Sequence, residues 1–498
     1  MKKSLALILS AMLLAGLLLS CGGVGDTAVD AAVTTTAAEV ATEAAETEFD
    51  PIATLTKLDG NGYEFSVLGY GGSTASYREA EYFRAIELNG EVINDALYYR
   101  NSDVEELYNV KITYNLEFKD TDSRKTFESL MLAGDDTYDL FGNKEGYVFA
   151  FCVAKGLAAD FAKVPHIDIS QPWYAQDAIR EHTIKKTMYG LFGDMLSTNT
   201  TCCWSFLFNK KLITDYKLEN PYDVVRSDRW TIEYLSDTTK EIASDLDGDG
   251  VWTEADFYGL GADKWATLDA WQVSLDIYGL TINNDGIPEL SFFSERTVKA
   301  VDAVFNLYYN NVGTLVNKIT PYDCVNTFAE DRCIYFPIFI DYMLGDTLRA
   351  METDYGVIPY PKLDEAQESY STYVHPRYGV IMLPVTVTED RYEIVGAVTE
   401  ALGATSYKYV RPAIYDTALK VKTVRDEDSA EMLDLLIETR HYDLSTAFEQ
   451  YSAFPFTPAK CFRNNLNSGV EFKVASWYES QESAAQAALD EFLDSIPD

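Results

Sequence analysis

Histidine is scarce in this chain of 498 residues, and its seven cysteines do not occur at the spacing of metal-binding motifs. The four histidines include no two at the spacing of metal ligands, and no Cys-x-x-Cys occurs. Structural zinc sites are built from such residues, so the composition argues against a zinc site. The chain also lacks Gly-x-Ser-x-Gly, a P-loop and His-Glu-x-x-His. Those absences exclude only the enzyme classes that depend on these motifs.

Positive charge is also in short supply. Lysine and arginine total 40 against 79 acidic residues, which gives a net charge of −39. Nucleic acid and anionic lipid would both repel such a chain, so neither is an expected partner. Charge also favours, weakly, a neutral or cationic ligand over a strongly anionic one.

The N-terminus has the three parts of an export signal. Lys2 and Lys3 precede an apolar run from Leu5 to Leu19, and Ser20-Cys21-Gly22-Gly23 follows. A Cys directly after a small-residue cleavage site resembles the lipobox of bacterial lipoproteins. The resemblance implies a signal peptide over 1–20, a lipid on Cys21 and anchoring to the outer face of the cell membrane. The alternative is an uncleaved span, for which a run of ~15 residues is short.

Residues 21–57 are rich in Ala, Thr and Glu and show no apolar periodicity. This composition predicts a disordered tether between the anchor and a folded part that begins near residue 58. With Cys21 lipidated, six cysteines remain. Exported cysteines can pair, but the spacing shows no dense framework, and we expect buried free thiols. These six are Cys152, Cys202, Cys203, Cys324, Cys333 and Cys461.

Strand and helix patterns alternate in the folded part. Period-two alternation predicts strands at 63–68 and 112–118, with a short strand at 138–141 and helices at about 92–109 and 123–133. Such alternation is typical of βαβ units and a parallel sheet, where ligands bind at the carboxyl ends of strands. The later part predicts strands at 335–340 and 378–383 and helices at 428–440 and 483–493.

Four segments, taken in order, resemble the extracellular solute-binding proteins of ABC transporters, family 1, the carbohydrate-binding group. They are LAGDDTYDL (132–140), FLFNKKL (206–212), RWT (229–231) and DYGVIPYPK (354–362). The resemblance implies an α/β, two-lobed periplasmic-binding-protein-like fold (type II) with the ligand in the cleft. We assign residues 58–203 and 332–408 to lobe 1, and 204–331 and 409–498 to lobe 2. One departure is the bulky segment CIYFPI at 333–338, where the family has small residues.

The sharpest local motif is DLDGDGVWTEAD at 245–256, which matches the twelve-residue calcium loop. Its expected ligands are Asp245, Asp247 and Asp249, the carbonyl of Val251, Thr253 and Asp256. Asp replaces the usual Glu at the last position, which shortens its reach. Three carboxylates on one turn repel each other unless a cation lies among them, so we expect a structural calcium ion. The alternative is an Asp/Gly-rich surface turn without metal.

A sugar site needs aromatic faces for stacking, together with acids, amides and arginines for hydroxyl groups. Loops that the lobes would turn toward each other supply candidates, although Trp and Tyr more often belong to a core. The expected ligand contacts are Tyr70, Ser73, Arg100, Asn101, Trp173, Tyr174, Trp204, Trp265, Asp269, Trp271, Asp341 and Arg377.

The sequence therefore predicts a monomeric, non-enzymatic binding protein that delivers a carbohydrate, expected to be an oligosaccharide, to an ABC permease. Closure of the lobes around the ligand needs no covalent chemistry. A surface glycoside hydrolase remains open, because 79 acidic residues can always supply a catalytic pair. A binding protein for peptides or another polar solute is a second alternative.

Overall fold

The computed structural model describes residues 49–71, 84–264, 266–317, 321–419, 427–448 and 461–496. The signal peptide, Cys21, most of the tether, Ser73 and Trp265 lie outside these residues. Residues 50–498 form one compact unit. No helix in the described ranges has both the length and the apolar character needed to cross a membrane.

The described residues contain seventeen strands, of which eleven form two main sheets and six form three two-stranded sheets. The strands are β1 Tyr63–Leu68, β2 Val110–Asn115, β3 Leu140–Lys144, β4 Ala158–Ala159, β5 Thr183–Ile184, β6 Thr187–Met188, β7 Trp204–Asn209, β8 Ala243–Ser244, β9 Phe257–Asp263, β10 Leu280–Ile282, β11 Pro288–Leu290, β12 Thr314–Asn317, β13 Cys333–Phe339, β14 Tyr355–Ile358, β15 Thr372–Tyr373, β16 Gly379–Pro384 and β17 Arg440–His441.

The first sheet has the strand order β2-β1-β3-β16-β4. β1 pairs in parallel with β2 and β3, whereas β16 is antiparallel to β3 and β4. The parallel half matches the βαβ pattern predicted from the sequence. Every residue of β3 and β16 is buried, because helices cover both faces of a sheet of this kind.

The second sheet has the order β12-β9-β13-β7-β14, with β8 paired to β9. β9 is parallel to β12 and β13, and β7 runs antiparallel to β13 and β14. Bulky residues of β13 are fully buried here, including Phe336 and Ile338. The segment that departs from the family's small residues is therefore the central strand of this sheet.

The helices surround the two sheets. They are Val92–Tyr108, Asp120–Ala133, Glu145–Ala154, Gln176–Glu181, Thr198–Thr201, Lys210–Asp215, Pro221–Arg226, Ile232–Thr239, Ala266–Ser274, Glu295–Phe305, Pro321–Ala329, Ile340–Met343, Asp346–Arg349, Tyr392–Thr405, Arg411–Leu419, Glu427–Glu438 and Val474–Ser495.

Most predicted elements are present, with shifted ends. The strand expected at 138–141 is Leu140–Lys144, and the helix expected at 483–493 begins nine residues earlier, at Val474. The first shift has a local cause: the carboxylate of Asp139 accepts hydrogen bonds from Ser66 N and Tyr63 Oη, so it serves as an anchor before the strand.

Three chain segments lie side by side where the chain passes between the two sheets. Cys203 forms an antiparallel bridge with Val374, and β15 pairs in parallel with β17. Thr372 N donates to Thr439 O over 2.9 Å. We call these residues, 202–204, 372–375 and 439–442, the crossing segments. A hinge movement of one lobe against the other would change the backbone dihedral angles of these segments.

Strand pairing bears on where the lobes divide. β13 and β14 both pair within the second sheet through β7, although the predicted boundary at 332 gives them to the first lobe. Each of the two packs against β7 along its length, so the chain returns to the first sheet only after β15. The remaining lobe boundaries stay a prediction.

Candidate ligand-binding site

The carboxyl ends of β1 and β3 meet at one edge of the first sheet. β1 leads into Tyr70, and β3 ends at Lys144. The Lys144 ammonium lies 5.2 Å from the centre of the Tyr70 ring and 5.5 Å from that of Tyr147, and it is 3.0 Å from a carboxylate oxygen of Asp120. The lysine side chain is almost fully buried, so this cation is held in place by two aromatic rings and one acid.

A second group comes from the crossing segments and the end of β13. The ring of Phe339 lies 4.6 Å from Tyr342, 5.3 Å from Trp204 and 5.9 Å from His375, between ring centres. Burial, followed by the charges of Arg377 and Lys144, lowers the pKa of His375 to about 3. The imidazole is therefore neutral at physiological pH.

These two groups adjoin each other. The effect of Arg377 and Lys144 on His375 requires the three to lie within electrostatic reach. Gly146, two residues after Lys144, donates its N–H to the carbonyl of Pro376, which lies between His375 and Arg377. Aromatic faces, one buried cation and half-buried polar groups thus meet beside the crossing segments, which is the composition that a carbohydrate site needs.

Of the predicted contacts, Tyr70, Trp204, Asp341 and Arg377 lie in this region. Tyr70 and Trp204 are buried, and the Trp204 indole N–H has no acceptor among the described residues. Asp341 follows β13 on the helix Ile340–Met343, and the main-chain N–H of Arg377 donates to His375 Nδ1.

The structure places the other described candidates elsewhere. Arg100 is buried and donates to Asn101 Oδ1 and to the carbonyl of Met195, while the Tyr174 hydroxyl donates to Glu400. These contacts and that of Trp173, whose ring packs on Gly403, lie within the first lobe.

In the second lobe, Asp269 and Trp271 are fully buried. Asp269 forms a two-pronged ion pair with Arg463, and the Trp271 indole N–H donates to the Tyr308 hydroxyl. Both have structural partners.

Sequence reasoning did not select Lys144, Tyr147, Phe339 or His375. Lys144 lies just after the strand predicted at 138–141, and ligands are expected at the carboxyl ends of such strands, so that signal would have found Lys144. The aromatic group around Phe339 depends on strand pairing that no local pattern reveals.

The acidic loop has the geometry of a cation site. Carboxylate oxygens of Asp245, Asp247 and Asp249 lie within 4.8 Å of one another. The N–H groups of Gly250 and Gly248 donate to Asp245 and lower the pKa of its carboxyl. Both glycines have positive φ, at 77° and 75°, which a side chain would strain.

The rest of the loop is less open to a ligand. The buried Asp256 accepts from Leu246 N and Thr253 N, so it ties the two ends of the loop together. Thr253 Oγ1 accepts from Ala255 N, and Val251 N donates to Asp249 Oδ1. The structure thus groups the carboxylates of the first three predicted calcium ligands, while the side-chain oxygens of Thr253 and Asp256 accept from the main chain of the loop.

All six cysteines that follow Cys21 are buried and form no disulfide, in agreement with the expectation from their spacing. Burial raises the pKa of Cys203 to about 12, which keeps it a thiol.

No family model matches the sequence, and no curated protein matches it either. Solved structures do. The cyclic α-maltosyl-1,6-maltose binding protein of Arthrobacter globiformis is 15% identical with a TM-score of 0.52, over 86% of this chain and 99% of that one. The chain has the fold of the two-lobed solute-binding proteins of ABC transporters.

Two further structures share this fold. A cyclo/maltodextrin-binding protein complexed with maltotetraose is 13% identical with a TM-score of 0.52, over 88% of this chain and 97% of that one. UgpB from Mycobacterium tuberculosis, in complex with glycerophosphocholine, is 15% identical with a TM-score of 0.51, over 86% of this chain and 98% of that one. Identities this low establish the fold.

Proposed function

We propose that the protein is an extracytoplasmic substrate-binding protein of an ABC importer, and that it captures an oligosaccharide between its two lobes. The observation that carries the proposal is the meeting of aromatic and charged side chains beside the crossing segments, at the edge where β3 ends. In open α/β sheets, ligands bind at this edge.

The mechanism is closure of the lobes. A ligand that touches both lobes stabilises the closed arrangement by the contacts that the open arrangement lacks. Lys144 and Tyr147 would act from the first lobe, and Phe339 and Tyr342 from the end of β13 in the second sheet. No bond is made or broken, so binding and release are the whole activity of this component.

Carbohydrate is favoured by two arguments. The half-buried rings of Tyr342 and Tyr147 suit pyranose rings, and the neutral His375, whose Nδ1 accepts from Arg377 N, keeps its Nε2–H as a hydrogen-bond donor. In addition, the cyclo/maltodextrin-binding protein and the cyclic α-maltosyl-1,6-maltose binding protein, which have this fold, bind sugars. The permease that would receive the sugar is the expected membrane partner.

The proposal includes anchoring of the protein by a lipid on Cys21, outside the cytoplasm. Metabolic labelling with an alkyne fatty acid, followed by mass spectrometry of the N-terminal peptide, tests this part. Cys21→Ser is expected to abolish labelling and release the protein from the membrane.

We also propose that the acidic loop binds one structural calcium ion through Asp245, Asp247 and Asp249. The three oxygens form part of the coordination shell that calcium prefers, and the main chain or water would complete it.

The test of the sugar proposal is calorimetric titration of the purified protein with maltodextrins and other oligosaccharides, using amino acids and short peptides as controls. We expect binding of one sugar class without hydrolysis products. Tyr342→Ala should weaken that binding about tenfold, which is ~1.4 kcal/mol, because it removes a stacking face.

Tyr216→Ala is the matched control. Tyr216 stacks on Phe257 at the start of β9, beside the start of β13, whereas the candidate site lies at the end of β13. Sugar hydrolysis would support the glycosidase alternative, and binding of peptides alone would refute the carbohydrate proposal.

A further inference from the structure

His441 lies in a crossing segment and touches both lobes. Its Nδ1 is 3.1 Å from Asp177 Oδ2, on the helix Gln176–Glu181, which precedes the first crossing. Its ring packs on Tyr278, with 4.0 Å between ring centres. Tyr278 follows the helix Ala266–Ser274 of the second lobe. One imidazole is therefore held between an acid of one lobe and an aromatic ring of the other.

Both sides of this contact are fixed by further bonds. Asp177 pairs with Arg180 and accepts from Tyr442 N. The Tyr278 hydroxyl donates to Asp276 over 3.0 Å, and Asp276 lies 3.6 Å from Arg296 on the helix Glu295–Phe305. Tyr278 is thus fixed within the second lobe, whereas Asp177 is fixed both to Arg180 on its own helix and to the crossing segment through Tyr442 N.

The same crossing segment is joined to the second lobe two residues later. The buried Asp443 accepts from Gly279 N over 2.9 Å and from Gln272 Nε2 over 3.2 Å. This acid keeps His441 next to Tyr278, so rotation of the first lobe would act on the contacts that Asp177 makes with His441 and with Tyr442 N, and on the bond from Lys185 N to Gly286 O.

Acids outnumber bases around the imidazole. The helix Gln176–Glu181 presents Asp177, Arg180 and Glu181, the second lobe presents Asp276, Tyr278 and Arg296, and the crossing segment itself carries Arg440, Tyr442 and Asp443. Four carboxylates thus face this region against three arginines, of which Arg180 and Arg296 are already paired with acids.

We propose that protonated His441 is a pH-sensitive clamp that holds the two lobes in the arrangement described here. The clamp is the charged contact with Asp177 on one side and the ring contact with Tyr278 on the other. When the imidazole loses its proton, the charged contact is lost and the first lobe is freer to rotate. The clamp acts on the lobes alone and does not rest on the proposed ligand.

The pH range follows from the surroundings. Burial works against the charged imidazole, but the hydrogen bond to Asp177 and the charges of Asp177, Glu181 and Asp443 outweigh it, so the pKa of His441 lies above its ordinary 6.5. A raised pKa means that the clamp is complete at acidic pH. It is lost as the pH rises through that raised value.

The experiment joins two measurements on the purified protein. Imidazole NMR signals, few because the chain has four histidines, give the titration of His441. Energy transfer between dyes at Leu132→Cys and Val312→Cys reports the lobe arrangement, in a Cys21→Ser background. Both positions are more than 70% exposed, one on each lobe, and the other six cysteines are buried.

We expect a change in energy transfer above pH 6.5 with the same midpoint as the His441 signal. The population of molecules in the described arrangement, relative to that in the rotated arrangement, should fall roughly fivefold, which is the effect of losing one partly exposed ion pair such as His441–Asp177. His441→Gln should remove the pH dependence, and Asp177→Asn should lower its midpoint.

Glu393→Gln is the matched control, because it removes the acid partner of His166, a pair confined to the first lobe. It should leave the pH dependence unchanged. Energy transfer that stays constant while His441 titrates would overturn the proposal. The same pH response in His441→Gln would also overturn it.

Discussion

Replacing Asp139 should destabilise the first lobe more than any surface change. Its carboxylate is fully buried and accepts from Tyr63 Oη over 2.5 Å and from Ser66 N over 2.8 Å, and it pairs with Arg391. Arg391 also donates to Tyr63 Oη and to the carbonyl of Asp136. Asp139→Ala leaves the Arg391 guanidinium and the Ser66 N–H without this acceptor.

The expected loss follows from that arrangement. Breaking a buried ion pair from one side costs about 3–5 kcal/mol, because the other charge stays buried without its partner. The side chain of Arg391 is 16% exposed, so the lower half of this range applies. For a lobe of about 200 residues, 3 kcal/mol corresponds to a fall in Tm of at least ~6 °C.

Calorimetric melting of the purified protein measures this change. Asp136→Ala is the matched control, because Asp136 lies 3.7 Å from the same Arg391 but is 68% exposed. Its removal should cost less than ~1 kcal/mol. If Asp139→Ala melts within 2 °C of the unmodified protein, the buried pair does not stabilise the lobe and this reasoning is wrong.

Three further predictions concern separate parts of the molecule. Titration of calcium into chelator-treated protein should show one site that Asp247→Ala removes; absence of heat in the unmodified protein would end the calcium proposal. Burial raises the pKa of Glu400 to about 7, so the protein should lose stability as the pH rises from about 4.5 to 7. Glu400→Gln should then be more stable by up to roughly 3 kcal/mol at pH 8 and equal at pH 4.5, as measured by Tm; equal Tm values at pH 8 would contradict this. The six buried cysteines should react with Ellman's reagent only in denaturant, and rapid reaction in the native protein would contradict their burial.

Local pattern was enough to predict much of the first lobe. The strand predicted at 63–68 has those bounds, and the helix expected at 92–109 ends at Tyr108. These elements obey simple periodicity because each has one face toward the core. The order of motifs that resemble the family predicted the two-lobed α/β fold.

The binding edge was only partly predictable. The sequence around an aromatic residue does not show whether its ring binds a ligand or packs in the core. Trp271 and Trp173 proved to be packed within the lobes, whereas Phe339 and His375 meet through pairing across the crossing segments. That pairing joins residues more than thirty positions apart. The periodicity of a local sequence window cannot predict contacts over such a separation.

The antiparallel pairing of β3 with β16 sets the order in which the chain acquires structure during synthesis. Lys144 finds its partner Gly379 only when more than 230 further residues have been made. At ~5–20 residues per second, the first sheet stays incomplete for more than about ten seconds. The proposed export signal requires the chain to reach the translocation machinery before it folds. The late synthesis of the inner strand β16 would provide that interval.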